Sequence, residues 1–423
     1  MKIVFALECA NIVNNGTAAT CLRFADELRK RGHQVTIICG KRIDANANDD
    51  YVELAPYHFP IFQPLITKEG FRFTLCKSEE SKIYNAIKGA DVVHVFLPFK
   101  MENEARLIAE GLGIPVTGAF HLQPQNVTSA IHIGKSRLAN SILYYSFKRY
   151  MFNQIRNIHC PSQMIANQLK KHHYLRNKPW VISNGVSDFF HPIETERPLN
   201  LKDKYVITMV GRLASEKRQD LIIKAIAKSK YNDRIQLILC GQGPNENRLL
   251  LLAKKVKLAN LPIIAFCKQD ELRDILSYSD LYIHASDFEI EGIGCIEAFA
   301  CGAVPLISDS ELSATNSFSL DDEHCVFKHG DATDLKLHIE WFLEHPAEKI
   351  DLSKKYISYS KQFALPLQVN RMEEMLYQAI EEKKTNQDIP TLYPRKKDER
   401  KKKKIFKRLL KQGVIKELPE LVK

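Results

Sequence analysis

The feature that most constrains this chain is a rhythm. Short apolar runs rich in β-branched residues alternate with helix-length amphipathic segments: KIVFAL, then Thr17 to Arg31, then QVTIICG, and later DVVHVFL, Glu102 to Leu112 and IPVTGAF. A strand buried on both faces reads as a continuous apolar run, and a helix between two such strands carries the chain back to start the next in the same direction. The rhythm therefore predicts βαβ units and parallel sheets. Gly32 follows Leu28-Arg29-Lys30-Arg31, where a left-handed residue and basic side chains are expected at a helix C-terminus.

A second series starts near Tyr205: strand YVITMVG, helix Gln219 to Ser229, strand IQLILCG, helix Asn245 to Val256, strand PIIAF, helix Asp270 to Ser277, strand LYIHAS, helix Ile293 to Ala300 and strand AVPLIS. At 423 residues the chain has room for two α/β domains of roughly 150 to 200 residues. Asn184 to Pro198, with its turn residues and two prolines, reads as the connection. The expected division is 1–190 for an N-terminal α/β domain and 200–357 for a C-terminal one. A helix over 358–384 and a basic amphipathic tail over 395–423 follow.

Charge separates the tail from the rest. The 61 Lys and Arg exceed the 50 Asp and Glu by 11, but residues 395–423 hold 13 of the basic and 4 of the acidic ones. The tail supplies +9 and leaves +2 to the other 394 residues, which argues against a globular nucleic-acid-binding face. Within it Ile405 with Leu409 and Phe406 with Leu410 are i,i+4 neighbours beside a cationic face, the pattern of a helix lying on an anionic membrane. A solvated tail and an RNA-binding segment are the alternatives, the latter weakened because only Phe406 interleaves with the basic run. Tyr144, Tyr145, Phe147, Lys148, Arg149 and Tyr150 form a second aromatic and basic cluster. The ten cysteines include no C-x-x-C pair and read as reduced thiols in a cytosolic protein. With no apolar run of membrane length and no signal peptide recognisable, membrane contact is expected to be peripheral, at the inner face of the cell membrane.

The chemistry concentrates where strands turn into helices. Phe288-Glu289-Ile290-Glu291-Gly292-Ile293-Gly294-Cys295-Ile296-Glu297 lies between a strand and a helix. Its glycines permit close approach of a ligand, and the free N–H groups of the helix start favour an anion. Glu297, in the first turns, suits two adjacent hydroxyls such as those of a ribose. Glu289 could hold another hydroxyl; alternatively the carboxylates merely complement the helix dipole. Gly211-Arg212-Leu213-Ala214-Ser215-Glu216-Lys217 places an arginine fork and a lysine point charge over the same sheet edge, a pair suited to a diphosphate or else a solvated strand end. Asn14-Asn15-Gly16-Thr17 occupies the first strand-to-helix turn, where Gly16 again permits close approach.

These segments resemble family 4 glycosyltransferases, retaining enzymes of the GT-B architecture, over about residues 1 to 380. Glu289 and Glu297 fit the family's Glu-x7-Glu motif, and Glu297-Ala298-Phe299-Ala300-Cys301-Gly302 fits the Ala-x-Ala-x-Gly that closes its helix. Gly211-Arg212-Leu213 with Glu216-Lys217, Cys240-Gly241-Gln242-Gly243-Pro244, Asp91-Val92-Val93-His94 and Ser183-Asn184-Gly185-Val186 match in order and spacing. One departure is that Ile290-Glu291 precede Gly292 where the family commonly has glycine directly after the first Glu, so Glu291 could substitute for Glu289. Within the family the strings around Glu289, Ser308 to Thr315 and His121 to Asn126 look most like the branch that includes diacylglycerol glucosyltransferases.

The resemblance implies two Rossmann-like domains facing across a cleft, a C-terminal helix crossing back to the N-domain, and a nucleotide-sugar donor, a UDP-sugar by expectation. It implies Arg212 and Lys217 on the diphosphate, Glu297 on the ribose, Glu289 at the donor sugar, His121 facing that sugar, and Gly16, Glu291, Gly292, Ile293 and Gly294 around the donor. Domain closure would bring His121 toward Arg212. The acceptor would be a lipid or a lipid-linked saccharide. No Asp-x-Asp triplet occurs, so the expected catalysis uses neither metal nor cofactor. A nucleotide-sugar epimerase of the same fold and a non-catalytic nucleotide-sugar-binding protein are the alternatives. A nicotinamide dehydrogenase is disfavoured because no Gly-x-Gly-x-x-Gly follows the first strand.

Overall fold

A computed structural model describes residues 1–10, 16–41, 50–57, 75–129, 133–134 and 136–423. The chain divides into two compact units, one drawn from the described residues up to Ile182 together with Gln368–Lys423, the other from Ser183–Leu367.

The first unit carries strands β1 (Lys2–Ala6), β2 (Gln34–Gly40), β3 (Tyr51–Leu54), β6 (Val92–Val95), β7 (Val116–Ala119), β8 (Asn157–Cys160) and β9 (Lys178–Val181), with two-residue strands β4 (Pro56–Tyr57) and β5 (Leu75–Cys76) paired antiparallel beside them. The sheet runs β3-β2-β1-β6-β7-β8-β9, every pair parallel. Helices α1 (Gly16–Lys30), α2 (Glu80–Ile87), α3 (Lys100–Gly111), α4 (Arg137–Tyr150) and α5 (Gln163–Lys171) connect the strands. Ala18, Cys21, Ala25 and Leu28, at helical spacing, are the buried stripe of α1. That helix ends as expected: Gly32 has φ +84°, and the His33 amide returns to the Leu28 carbonyl.

The second unit repeats the plan with β10 (Tyr205–Val210), β11 (Ile235–Cys240), β12 (Ile263–Ala265), β13 (Leu281–His284), β14 (Val304–Ser308) and β15 (Val326–Phe327) in the order β12-β11-β10-β13-β14-β15, again all parallel. Its helices are α6 (Gln219–Ala227), α7 (Glu246–Lys255), α8 (Gln269–Tyr278), α9 (Ile293–Ala300), α10 (Ala332–Glu344) and α11 (Pro346–Ser360). One core joins the sheet to them, from Ile207, Leu237 and Ile283 to Phe299, Phe342 and Tyr356. In each sheet the chain order reverses beside the first strand, at β1/β6 and β10/β13, leaving a crevice at the strands' carboxyl ends.

Three expectations are corrected. The segment 184–198 is not a free connector: Val186 and Phe190 enter the core of the second unit, and Val186 pairs with Ala364. The helix expected over 358–384 is two. Helix α11 ends at Ser360, and α12 (Leu365–Lys384) restarts where the Val186 pairing takes up the Phe363 carbonyl and the Leu365 amide. From Gln368 onward α12 belongs to the first unit, where Glu373 pairs with Arg31 and His33, and Glu382 with Arg156 and Asn157.

The third concerns the tail. Helix α13 (Lys396–Lys411) is basic and amphipathic as expected, but its apolar stripe is spent inside the protein. Ile405, Phe406 and Leu409 are buried, with Phe406 edge-on to Tyr84 of α2. Arg106 of α3, wholly buried, binds Glu110 and reaches Asp398 Oδ2 at 3.2 Å, while Arg408 grips Glu80, Nε to Oε2 at 2.9 Å. Only Leu410 of the four apolar residues stays exposed, so the stripe does not face a bilayer. No helix among the described residues is long and apolar enough to cross a membrane.

Candidate active site

In the second unit the loop after β10 carries both cations. Arg212 pairs with Glu216, four residues on in the same loop, and Lys217 folds back over Gly211 to bind Glu289. Arg218, left-handed at φ 56°, turns the chain into α6 and sends Nη1 to Asp287 Oδ1 at 3.0 Å, while the Asp287 amide donates to the Glu216 carbonyl at 2.8 Å. The β10 loop and the β13 loop are thus tied together across the crevice.

The segment after β13 is held from its other side. The Glu289 amide donates to the Leu312 carbonyl and the Ala314 amide to the Glu289 carbonyl, a one-residue continuation of the sheet. Gly292 caps α9 at φ +95°, and a Cβ there would lie 2.3 Å from Thr315 Cγ2. Only glycine takes that conformation in that space. Gly294, in the first turn, sits against Val210 at the end of β10, so the start of α9, where Cys295 and Ile296 donate the first turn's bonds to the Gly292 carbonyl, stands over the β10/β13 junction. Ile293 and Glu297 are partly exposed on the same helix, and Glu297 is near enough to Tyr282 and Cys301 to act on both electrostatically.

Electrostatics single out Glu289. Burial alone would raise its carboxyl, but Lys217 and His284 hold it well below the ordinary carboxylate range. His284, the last residue of β13, places Nε2 3.6 Å from Glu289 Oε2; its own pKa is lowered, chiefly by burial. Glu291 is separated from this group. It is buried, and both its oxygens accept from the Asn184 amide, at 3.2 and 3.0 Å. The expectation that Glu291 could replace Glu289 beside the donor is therefore corrected: Glu291 anchors the start of the second unit.

Arg212, Lys217, Glu289, Gly292, Ile293, Gly294 and Glu297 consequently gather on one sheet edge. Gly16, opening α1, and His121 belong to the first unit; Asn14 and Asn15 lie outside the described residues. His121 follows β7 and is buried, and among the described residues neither ring nitrogen has a hydrogen-bond partner. His159 stands edge-on to it at 4.7 Å and Phe96 at 5.8 Å. Burial first, then His159 and His94, push its pKa well below the ordinary value, so the ring is neutral.

Two family descriptions match the chain in succession. Residues 14–188 match the one described as Glycosyltransferase Family 4, and residues 192–363 the one described as Glycosyl transferases group 1. The chain belongs to glycosyltransferase family 4. It is 22% identical over 387 residues to the alpha-monoglucosyldiacylglycerol synthase of Acholeplasma laidlawii, covering 87% of this chain and 94% of that protein. To the phosphatidylinositol N-acetylglucosaminyltransferase GPI3 subunit of Saccharomyces cerevisiae it is 28% identical over 149 residues, 31% of this chain. That match spans 33% of the yeast protein, about a third of its length. The fold, the two-domain Rossmann-like GT-B architecture, is shared with Anabaena Alr3699/HepE, solved with UDP-glucose, at TM-score 0.68 and 14% identity over 89% of this chain and all of that one.

Sequence reasoning about this family 4 glycosyltransferase missed three groups. His284 was visible only as the end of a strand five residues before Glu289. Thr315 acts through the methyl group that closes on Gly292, which no spacing reveals. In the first unit Glu8 and Glu102 are buried together at the end of β1, the Glu8 amide donating to Glu102 Oε1 at 3.0 Å. Burial lifts the Glu8 carboxyl to about 7 and raises Glu102 as well. Among the described residues no cluster of three or more His, Cys, Asp or Glu is placed to hold a metal ion.

Proposed function

We propose that this family 4 glycosyltransferase moves a sugar from a UDP-sugar to a membrane-associated acceptor, a glycolipid or a lipid-linked or cell-surface polysaccharide precursor, with retention of anomeric configuration. The observation that carries the reading is the Lys217–Glu289 pair beside Arg212 and the start of α9. Breaking a sugar–diphosphate bond leaves negative charge on the diphosphate, and donors fixed where that charge develops lower the barrier most. Arg212 takes two phosphate oxygens in its planar fork, leaving Glu216. Lys217 supplies a point charge, and the α9 amides complete the cradle. Glu216 and Glu289 compensate the two cations and hold them in place.

Glu289, kept ionised by Lys217, accepts hydrogen bonds from hydroxyls of the donor sugar, and Glu297 accepts from the ribose. His121, neutral, keeps one ring N–H that can donate to a sugar hydroxyl. Attack from the face the diphosphate leaves gives retention, and the cations neutralise the leaving group without metal or cofactor. The Anabaena complex with UDP-glucose supports the donor class, and the Acholeplasma synthase supports a lipid acceptor. The enzyme then works peripherally at the inner face of the cell membrane.

The test is mass spectrometry of products from a panel of nucleotide sugars offered with lipid and saccharide acceptors. One glycosyl residue gained by an acceptor, with equimolar nucleotide released, is expected; nucleotide release that does not depend on acceptor, or none with any pair, refutes transfer.

A further inference from the structure

With the stripe of α13 buried, a different helix carries exposed apolar surface. On α4, Leu138, Ile142 and Tyr145 are 73%, 55% and 54% exposed, at i, i+4 and i+7, one continuous outward ridge. The opposite side fixes the helix: Asn140 bonds Thr128 and the Gly134 carbonyl, and the buried Tyr144 donates to Gln168 at 2.6 Å and stacks on His172. A surface helix ordinarily turns polar side chains outward, so large apolar ones there mark a contact surface. Ile133, just before the helix, is 44% exposed as well.

Charge identifies the occupant. Helix α4 has Arg137, Lys148 and Arg149 and no acidic residue. Its C-terminal end meets the cationic helix: Arg395 donates to the Arg149 carbonyl, and the Lys401 ammonium lies 5.5 Å from the Tyr150 ring centre. Exposed Lys397 and Lys404 flank Lys401 one turn to each side. The Lys401 pKa is lowered, first by burial and then by Lys397, a crowding that nearby anions would relieve. A second copy of the chain would set this cationic surface against itself. Apolar side chains at headgroup depth, ringed by lysine and arginine, suit an interface of acyl chains and anionic headgroups.

We propose that the outward face of α4, with the Lys397–Lys401–Lys404 side of α13, is the surface by which the enzyme sits on an anionic lipid bilayer. The inference rests on the reading of a membrane-associated acceptor and moves the contact from the apolar stripe of the tail to α4.

The test is co-sedimentation of the full chain with vesicles of phosphatidylcholine alone or with about one third phosphatidylglycerol. The wild type is expected to bind the mixed vesicles and not the neutral ones. Leu138→Ser/Ile142→Ser/Tyr145→Ser should lower partitioning at least about 30-fold, and Lys397→Ser/Lys401→Ser/Lys404→Ser about tenfold or more. Tyr145→Trp, which leaves the ridge intact, should show blue-shifted emission with mixed vesicles and quenching by brominated acyl chains. Unchanged binding of the serine triple variant, absence of the shift, or a wild type that self-associates or needs another protein to bind overturns the proposal. No donor enters the assay, so binding without any transfer activity would refute the functional reading alone, and transfer with unaltered vesicle binding in the variants would refute the surface alone.

Discussion

Replacing Lys217 by Met removes one half of a pair whose side chains are 18% and 16% exposed. Removing one partner of a fully buried pair costs about 3–5 kcal/mol, because the other charge is left without water or counterion. Here residual solvent and His284 at 3.6 Å reduce the loss to about 2–4 kcal/mol. The sign with pH follows from Glu289. In the wild type its folded pKa is depressed, so its contribution is present above the unfolded value and lost only as pH falls through the folded one. Without Lys217, burial prevails and the carboxyl rises. The variant can then protonate it, and its deficit should be largest near pH 7 and shrink by about pH 5. Adding Glu289→Gln removes the stranded charge, so the double variant should be more stable than Lys217→Met alone, while both lack transfer activity. Urea denaturation at the two pH values measures this. A deficit independent of pH, or a double variant no more stable than the single one, would show that Lys217 does not offset the Glu289 charge.

Arg212→Ala should lose about 2–4 kcal/mol of transition-state stabilisation, read as kcat/KM. Its stability should change by about 0.5 kcal/mol at most, since the Arg212–Glu216 pair is a partly exposed i,i+4 contact. Gly292→Ala meets both a φ of +95° and Thr315, and should cost about 1–3 kcal/mol in thermal unfolding; Thr315→Ser should return only the part due to the methyl contact. Deleting 395–423 uncovers the sites of Ile405, Phe406 and Leu409, about 5–9 kcal/mol of burial. The truncated chain should therefore be insoluble or melt far lower, and a shared melting temperature would contradict the packing of α13. Raised carboxyl pKa values at Glu8 and Glu102 oppose folding as pH climbs from about 4.5 through 7, so Glu102→Gln should gain thermal stability relative to wild type near pH 8 and not near pH 5.

The strands, their parallel pairing and the order of helices were legible because apolar period and β-branched content report burial directly. QVTIICG and the helix from Ile293 to Ala300 fall on the structure residue for residue. That Arg212, Lys217 and Glu289 lie between a strand and a helix, with Glu297 on the helix that follows, was legible because those turns interrupt the apolar runs. Tertiary contacts hid the rest. Nothing local distinguishes Glu289 from Glu291; the Asn184 amide, more than a hundred positions away, takes the second of them. An amphipathic cationic helix fits a bilayer and a protein groove equally well by pattern. Partners distant in sequence, Arg106, Glu80 and Tyr84 among them, put α13 in the groove.

If Arg212, Lys217 and Glu289 form one grip on an activated sugar, nucleotide and nucleotide sugar should respond differently to the loss of each. Calorimetric titration of the full chain with UDP and with UDP-glucose tests it most directly. Both should bind the wild type; Arg212→Ala and Lys217→Ala should weaken both ligands; and Glu289→Gln should weaken UDP-glucose while leaving UDP nearly untouched. Equal affinities across the three variants, or no binding of either nucleotide to the wild type, would contradict it.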